Sequence, residues 1–411
     1  MARSEGLSQW TETVSSHMPH LSKAQVVVLA LWSFGMVLAQ SCGISSVVTV
    51  LAPLVGRKDD AIRQQLREWC YDAPHKAGAK RTIKRQELNV TTCFAPLLRW
   101  VLAWWPPSEK RLALAMDAST LGQRFTVLCI CVVYRGCAIP IAWVVLEATK
   151  KGAWRPHWEA LFSALKDVVP ADWTVIVPAD RGLYARWLFR HIQTLGWHPF
   201  LRINSGGNYR PGGAARFRPL AGTVTQGGPS WSGTVTCFSS RDCQLSCTLL
   251  AQWDTGHTDP WLIVTDLPAK AADVAWYGLR PMIECGFKDV KRGGFHWEQT
   301  KMTDPARATR LWLAIAVATL WVASVGDAAD ACLSPSMLDD LDTLLPTERR
   351  SSKRARAHMI GCFRRGVLLI IACLIATGSV PASCFVPEPW PKTLDIFPYP
   401  IHRQSSHQKA A

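Results

Sequence analysis

Residues 111–146 read RLALAMDASTLGQRFTVLCICVVYRGCAIPIAWVVL, and this stretch decides the fold. Arg111–Asp117 is a short apolar strand ending in an acid. Arg124–Tyr134 and Cys137–Leu146 are rich in Val, Ile, Cys and Phe, and Arg135-Gly136 turns one into the other, which predicts a three-stranded antiparallel meander. Downstream, His157–Val169 carries Trp158, Leu161, Phe162 and Leu165 at helical spacing. Trp173–Val177 is a buried strand leading into Pro178-Ala179-Asp180, Leu183–Leu195 is again helical, and His198–Ile203 is a strand.

The order β-β-β-α-β-α-β puts Asp117 at the end of the first strand and Asp180 just past the fourth. If those strands are neighbours, both carboxylates leave one sheet edge side by side, as sharing a hard divalent cation requires. That is a ribonuclease H-like arrangement, a mixed α/β fold. From Ser205 to about Leu267, Gly and Pro are dense and short β-prone runs follow (Gly233–Cys237, Cys247–Trp253, Trp261–Thr265), which predicts an inserted antiparallel β region. Its basic opening, with Arg202, Arg210, Arg216 and Arg218, suits either a phosphate backbone or an ordinary surface loop.

The 411 residues carry 46 Lys+Arg against 31 Asp+Glu, a net charge of +15, and 48% are hydrophobic. The apolar share excludes a mostly disordered chain, and the positive excess points to a polyanionic partner. Fourteen Cys scattered through apolar runs, behind a polar start (MARSEGLSQW) without signal-peptide character, predict reduced thiols in a cytoplasmic protein. Ala24–Ala39, Leu311–Val325 and Val367–Val380 each fall short of the ~20 residues a bilayer span needs, so buried core helices are expected and no membrane partner. Within Arg57–Arg85, Lys and Arg outnumber Asp and Glu nine to four. Lys80-Arg81 and Lys84-Arg85 recur at i, i+4 on one helical face, suited to phosphates.

Residues 277–291 read YGLRPMIECGFKDVK. Tyr277, Arg280 and Glu284 stand at i, i+3, i+7, one stripe of an α-helix that Lys288 and Lys291 continue. Beside two convergent Asp, the glutamate becomes a third metal ligand, with cations placed to hold phosphates.

The pattern Y-x2-R-x3-E-x6-K resembles the signature of bacterial insertion-sequence DDE transposases of the IS-four type. Asp117 in MDAST and Asp180 in ADRGL are similar to that family's first two acid motifs, and WLIVTDLP at 261–268 resembles the strand that ends its β-rich insertion. The likeness spans roughly residues 110–325. It implies that Asp117, Asp180 and Glu284 bind two Mg²⁺, with Mn²⁺ as a possible substitute, and that Tyr277, Arg280 and Lys291 contact phosphates. It further implies cut-and-paste transposition on double-stranded DNA, at terminal inverted repeats and target, by a protein dimeric on DNA and nucleoid-associated when bound. Pro281 departs from relatives that have an aromatic residue after the motif arginine. Trp276 and Trp261 are the candidates to replace it, and core packing is the alternative for both.

The expected organisation is a basic helical front (1–106), the first part of the catalytic core (107–204), the β-rich insertion (205–268), completion of the core (269–326) and a helical tail for protomer pairing (327–411). The rival readings are a DNA-binding relative without activity, a ribonuclease H-like nuclease, and an integral membrane protein, the last of which leaves the acids and the stripe at 277–291 unexplained. Asp289, Asp266 and His296 are expected to serve structure.

Overall fold

The computed structural model describes residues 2–76, 86–149, 153–332, 361–386 and 388–393. The chain divides into two units, Met1–Thr174 with Pro281–Glu388 and Val175–Arg280 with Pro389–Ala411.

The first unit contains the expected meander, β1 (Arg111–Leu121), β2 (Phe125–Tyr134) and β3 (Cys137–Glu147). All ten residues of β2 are buried, so its near-continuous apolar run reads as a strand covered on both faces. Arg135 and Gly136 take φ of 45° and 75°, the left-handed pair that matches the twist of a tight hairpin. β1 differs from expectation. It does not end at Asp117 but pairs with β2 through Leu121↔Phe125, placing Asp117 opposite Cys129 inside the strand. The turn comes later, at Gly122, where φ is 56°.

Helices α1 (Ala2–His17), α2 (Lys23–Ala39), α3 (Ile44–Val55), α4 (Asp59–Trp69), α5 (Phe94–Ala103) and α6 (Arg155–Ser163) belong to this unit. A capping box starts α2, in which the Ser22 side chain accepts from the Gln25 N–H and the Gln25 side chain accepts from the Ser22 N–H at 2.9 Å. Trp10 stacks on Trp321 with ring centroids 4.2 Å apart and donates its indole N–H to Ser33 Oγ at 2.9 Å. Trp32, Trp100, Trp143, Trp297, Trp312 and Trp321 are likewise fully buried, so these tryptophans are core mass.

The later residues add α8 (Met282–Lys288), α9 (Pro305–Cys332) and α10 (Cys362–Thr377). α9 is long and apolar enough to cross a membrane, yet 94% of its most apolar window is buried inside the protein, as in a core helix. α9 and α10 touch through glycines. A β-carbon on Gly366 would collide with the Val322 carbonyl, and one on Gly326 with the Cys362 carbonyl. The run Val367–Val380, expected to be buried, is covered on one face only, and Leu368 and Ile375 are 41% and 81% exposed. The described cysteines are free thiols, most of them buried.

The second unit contains β4 (Thr174–Ala179), α7 (Arg186–Thr194), β5 (His198–Arg202), β6 (Asn208–Pro211), β7 (Arg218–Pro219), β8 (Trp231–Cys237), β9 (Leu245–Gln252) and β10 (Trp261–Thr265). Their order is β4-β5-β10-β9-β8-β6-β7. β4 and β5 run parallel, as a crossover through α7 demands, while the inserted strands pair antiparallel. The run from β1 to β5 therefore keeps the β-β-β-α-β-α-β order of a ribonuclease H-like core, within a mixed α/β protein that carries a β-rich insertion.

Candidate functional site

The expected helical stripe is not a single α-helix. Val274–Leu279 is a 3-10 helix, α8 starts at Met282, and Asp289–Gly293 is a π turn. Pro281, which has no N–H to donate, stands where the first gives way to the second. In the 3-10 segment residues three apart eclipse, so Tyr277 and Arg280 still share a side. Glu284 and Lys288, one α-turn apart, are both exposed on α8.

In the second unit Asp180 follows β4 directly. Its Oδ1 accepts the Arg181 N–H at 2.7 Å and caps the short 3-10 turn Arg181–Leu183. Three side chains face the same carboxylate. Tyr277 Oη lies 3.5 Å from Oδ1, Arg202 Nη1 lies 4.0 Å from Oδ1, and Arg280 Nη2 lies 4.0 Å from Oδ2. Two guanidiniums thus stand near one carboxylate without closing on it, at distances beyond a normal hydrogen bond. Burial pushes the Tyr277 phenol well above its ordinary value, with Arg280 opposing that shift. The Arg280 side chain is only 9% exposed. A guanidinium so far removed from water interacts more strongly with an anion than an exposed one does.

Arg202 escaped the sequence reading as a neighbour of Asp180. The signal was the sheet register, in which Ala179 of β4 pairs with Leu201 of β5, so the next residues, Asp180 and Arg202, leave the same edge. Arg202 Nη2 also donates to the Pro260 carbonyl at 3.3 Å. Of the two candidate stacking residues, Trp276 packs between Phe200 and Trp390, with centroids 6.1 and 4.9 Å away, and is structural. Trp261 meets Tyr277 edge-on at 5.2 Å. Asp266 accepts from Gln193 at 3.2 Å and pairs with His198 at 3.0 Å, also a structural role.

In the first unit Asp117 is half-buried, and its Oδ1 accepts the Ala118 N–H at 2.8 Å. α8 packs on all three strands of the meander. Gly286 permits this approach, because a β-carbon there would come 2.6 Å from that of Ala138. The π turn then brings the Lys291 ammonium to the end of β1, where it donates to Ser119 Oγ at 2.8 Å and to the Thr120 carbonyl at 2.6 Å. Burial and Arg292 lower its pKa. The lysine expected on a phosphate therefore binds the strand that carries Asp117. Asp289 is pushed up to about 7 by burial, against the pull of Lys288. His296 forms a turn at φ 53° and bonds Glu298 at 3.2 Å.

Carboxylate oxygens are the donors Mg²⁺ takes, so Asp117, Asp180 and Glu284 suit it in chemistry. Among the described residues no group of three or more His, Cys, Asp or Glu stands close enough to hold a metal ion. Lys80, Arg81, Lys84 and Arg85 lie outside the described residues, as does the charged stretch 333–360 of the tail.

One of the solved structures that the chain matches is a piggyBac transposase synaptic complex with hairpin DNA, determined by cryo-electron microscopy. It is 11% identical, with 84% of each chain covered and a TM-score of 0.29. No curated protein matches the chain. The family model for the transposase DDE domain matches residues 110–321, a span that contains Asp117, Asp180, Tyr277, Arg280, Glu284 and Lys291. That match covers more than half of the protein, and the chain belongs to the transposase DDE domain family.

Proposed function

We propose that this protein is an insertion-sequence transposase of the IS-four type that cuts DNA at the ends of its element and joins them to a target. Asp117, Asp180 and Glu284 would be its metal ligands. The observation that carries the reading is the Asp180 cluster, where one carboxylate faces a phenol and two guanidiniums. A carboxylate suits a divalent cation and the guanidiniums suit the phosphate that arrives with it.

Two Mg²⁺ or Mn²⁺ ions, when bound, would supply Lewis acidity to an in-line phosphoryl displacement. The chain's own groups have distinct tasks. Arg280 and Arg202 hold a phosphate oxygen, and Tyr277 offers its hydroxyl as donor because burial keeps it protonated. Lys291 fixes the end of β1 and with it the placement of Asp117. Lys288, exposed beside Glu284, is free of burial costs and suited to the DNA backbone. Lys80, Arg81, Lys84 and Arg85 would add sequence-independent phosphate contacts, and two protomers would act together on the DNA. Location in the cytoplasm, on the nucleoid when bound, belongs to the same proposal.

The deciding assay uses a labelled duplex with the element's 3′-hydroxyl end exposed, incubated with plasmid and Mg²⁺. Joined product supports a transposase. Cutting without joining indicates a nuclease of the same fold. A second reading is a relative that binds DNA without cutting it. Binding with neither cutting nor joining would establish it.

A further inference from the structure

A short piece of the C-terminal segment, far away in sequence, packs on the 3-10 helix that carries Tyr277 and Arg280. Asp273 caps that helix by accepting the Ala275 N–H at 2.9 Å. The same carboxylate accepts the Thr393 N–H at 3.0 Å and the Thr393 hydroxyl. Trp390, buried to 9% exposure, meets Trp276 edge-to-face at 4.9 Å, and Trp276 rests in turn on Phe200 of β5. Trp276 directly precedes Tyr277, so its indole sets the rotation of the helix about its axis. Asp273 sets the helix start.

We infer that Trp390 and Thr393 are positioning residues for phosphate binding, holding Tyr277 and Arg280 in the orientation that faces Asp180. The physical need is plain. A 3-10 helix has poor hydrogen-bond geometry and seldom persists for long on its own, and here it is six residues long. It must nevertheless aim a buried guanidinium and a phenol at one point. Tertiary contacts have to supply the rigidity, and Thr393 and Trp390 supply part of it, beside Phe200 and Trp261. The inference rests on the proposed phosphate role of Arg280, and the two are separable by experiment.

The experiment measures binding of the full chain to a labelled duplex of the DNA flanking the coding sequence, across a salt series, for wild type, Thr393→Ala, Thr393→Ser, Trp390→Ala, Arg280→Ala and Thr393→Ala/Arg280→Ala. Removing one cation from the DNA backbone lowers the slope of log affinity against log salt by about 1. Arg280→Ala should show that drop. Thr393→Ala should show a similar one with a melting temperature near wild type, Trp390→Ala a similar one with a lower melting temperature, and Thr393→Ser should restore it. In the Arg280→Ala background, Thr393→Ala should change nothing further, because both act through one interaction with phosphate. A normal slope for Thr393→Ala and Trp390→Ala beside a reduced one for Arg280→Ala overturns the positioning role alone. Additive effects in the double variant overturn it too. A normal slope for Arg280→Ala removes the phosphate role and the inference with it.

Discussion

Lys291 donates to Ser119 Oγ at 2.8 Å, tying the π turn after α8 to the end of the strand that holds Asp117. Removing a charged hydrogen-bond donor from such a place costs about 1–2 kcal/mol. Lys291→Ala should lower the urea midpoint accordingly, and Ser119→Ala by less, since the Thr120 carbonyl remains as acceptor. An unchanged midpoint combined with weaker DNA binding would assign the ammonium to phosphate instead.

Arg202 lies beside a proposed metal ligand without touching it closely. Neighbours of that kind commonly change activity about 10–100-fold when removed. Arg202→Ala should reduce Mg²⁺-dependent cutting within that range while the fold persists. Arg202→Lys should recover only part, because an ammonium cannot reach Asp180 and the Pro260 carbonyl as a planar fork does. Full activity in Arg202→Ala would leave the residue with no part in the site.

Asp289 gives a pH dependence of known sign. Unfolded, its carboxyl ionises near 3.8; folded, burial delays this to about 7. Between those values the native chain keeps a proton that the unfolded chain has released, so stability falls as pH rises through the window. Asp289→Asn should flatten the decline and leave the protein more stable than wild type at pH 8. Parallel stability curves for the two proteins between pH 4 and 8 would show that the carboxyl ionises normally.

Gly366 has no space for a side chain against the α9 backbone. Overpacking of this kind typically costs about 1–3 kcal/mol, more than the better helix propensity of alanine returns. Thermal unfolding of Gly366→Ala should show a lower midpoint. A raised midpoint would mean that α10 shifts without penalty.

The meander, the Asp180 position and the β-rich insertion were legible because strand periodicity and Gly-rich turns are local signals. The end of β1 was not. Asp117 looks like a strand terminus, whereas Ser119 and Thr120 extend the ladder through pairing with Val127 and Thr126, a fact of the partner strand. The broken motif helix was readable in principle, since Pro281 is in plain view. Spacing arithmetic, however, assumes 100° per residue across any break. The Thr393–Asp273 contact had no sequence signal at all, because nothing local says where a distant segment docks.

Glu284 is proposed to serve as a metal ligand for DNA cutting. The direct test compares wild type with Glu284→Gln, which keeps the shape and removes the charge, on labelled DNA carrying the element's ends with Mg²⁺. Cutting at the element boundary by wild type, with binding but no cutting by the variant, is the expected result. Equal cutting by both proteins would contradict it and remove Glu284 from the catalytic centre.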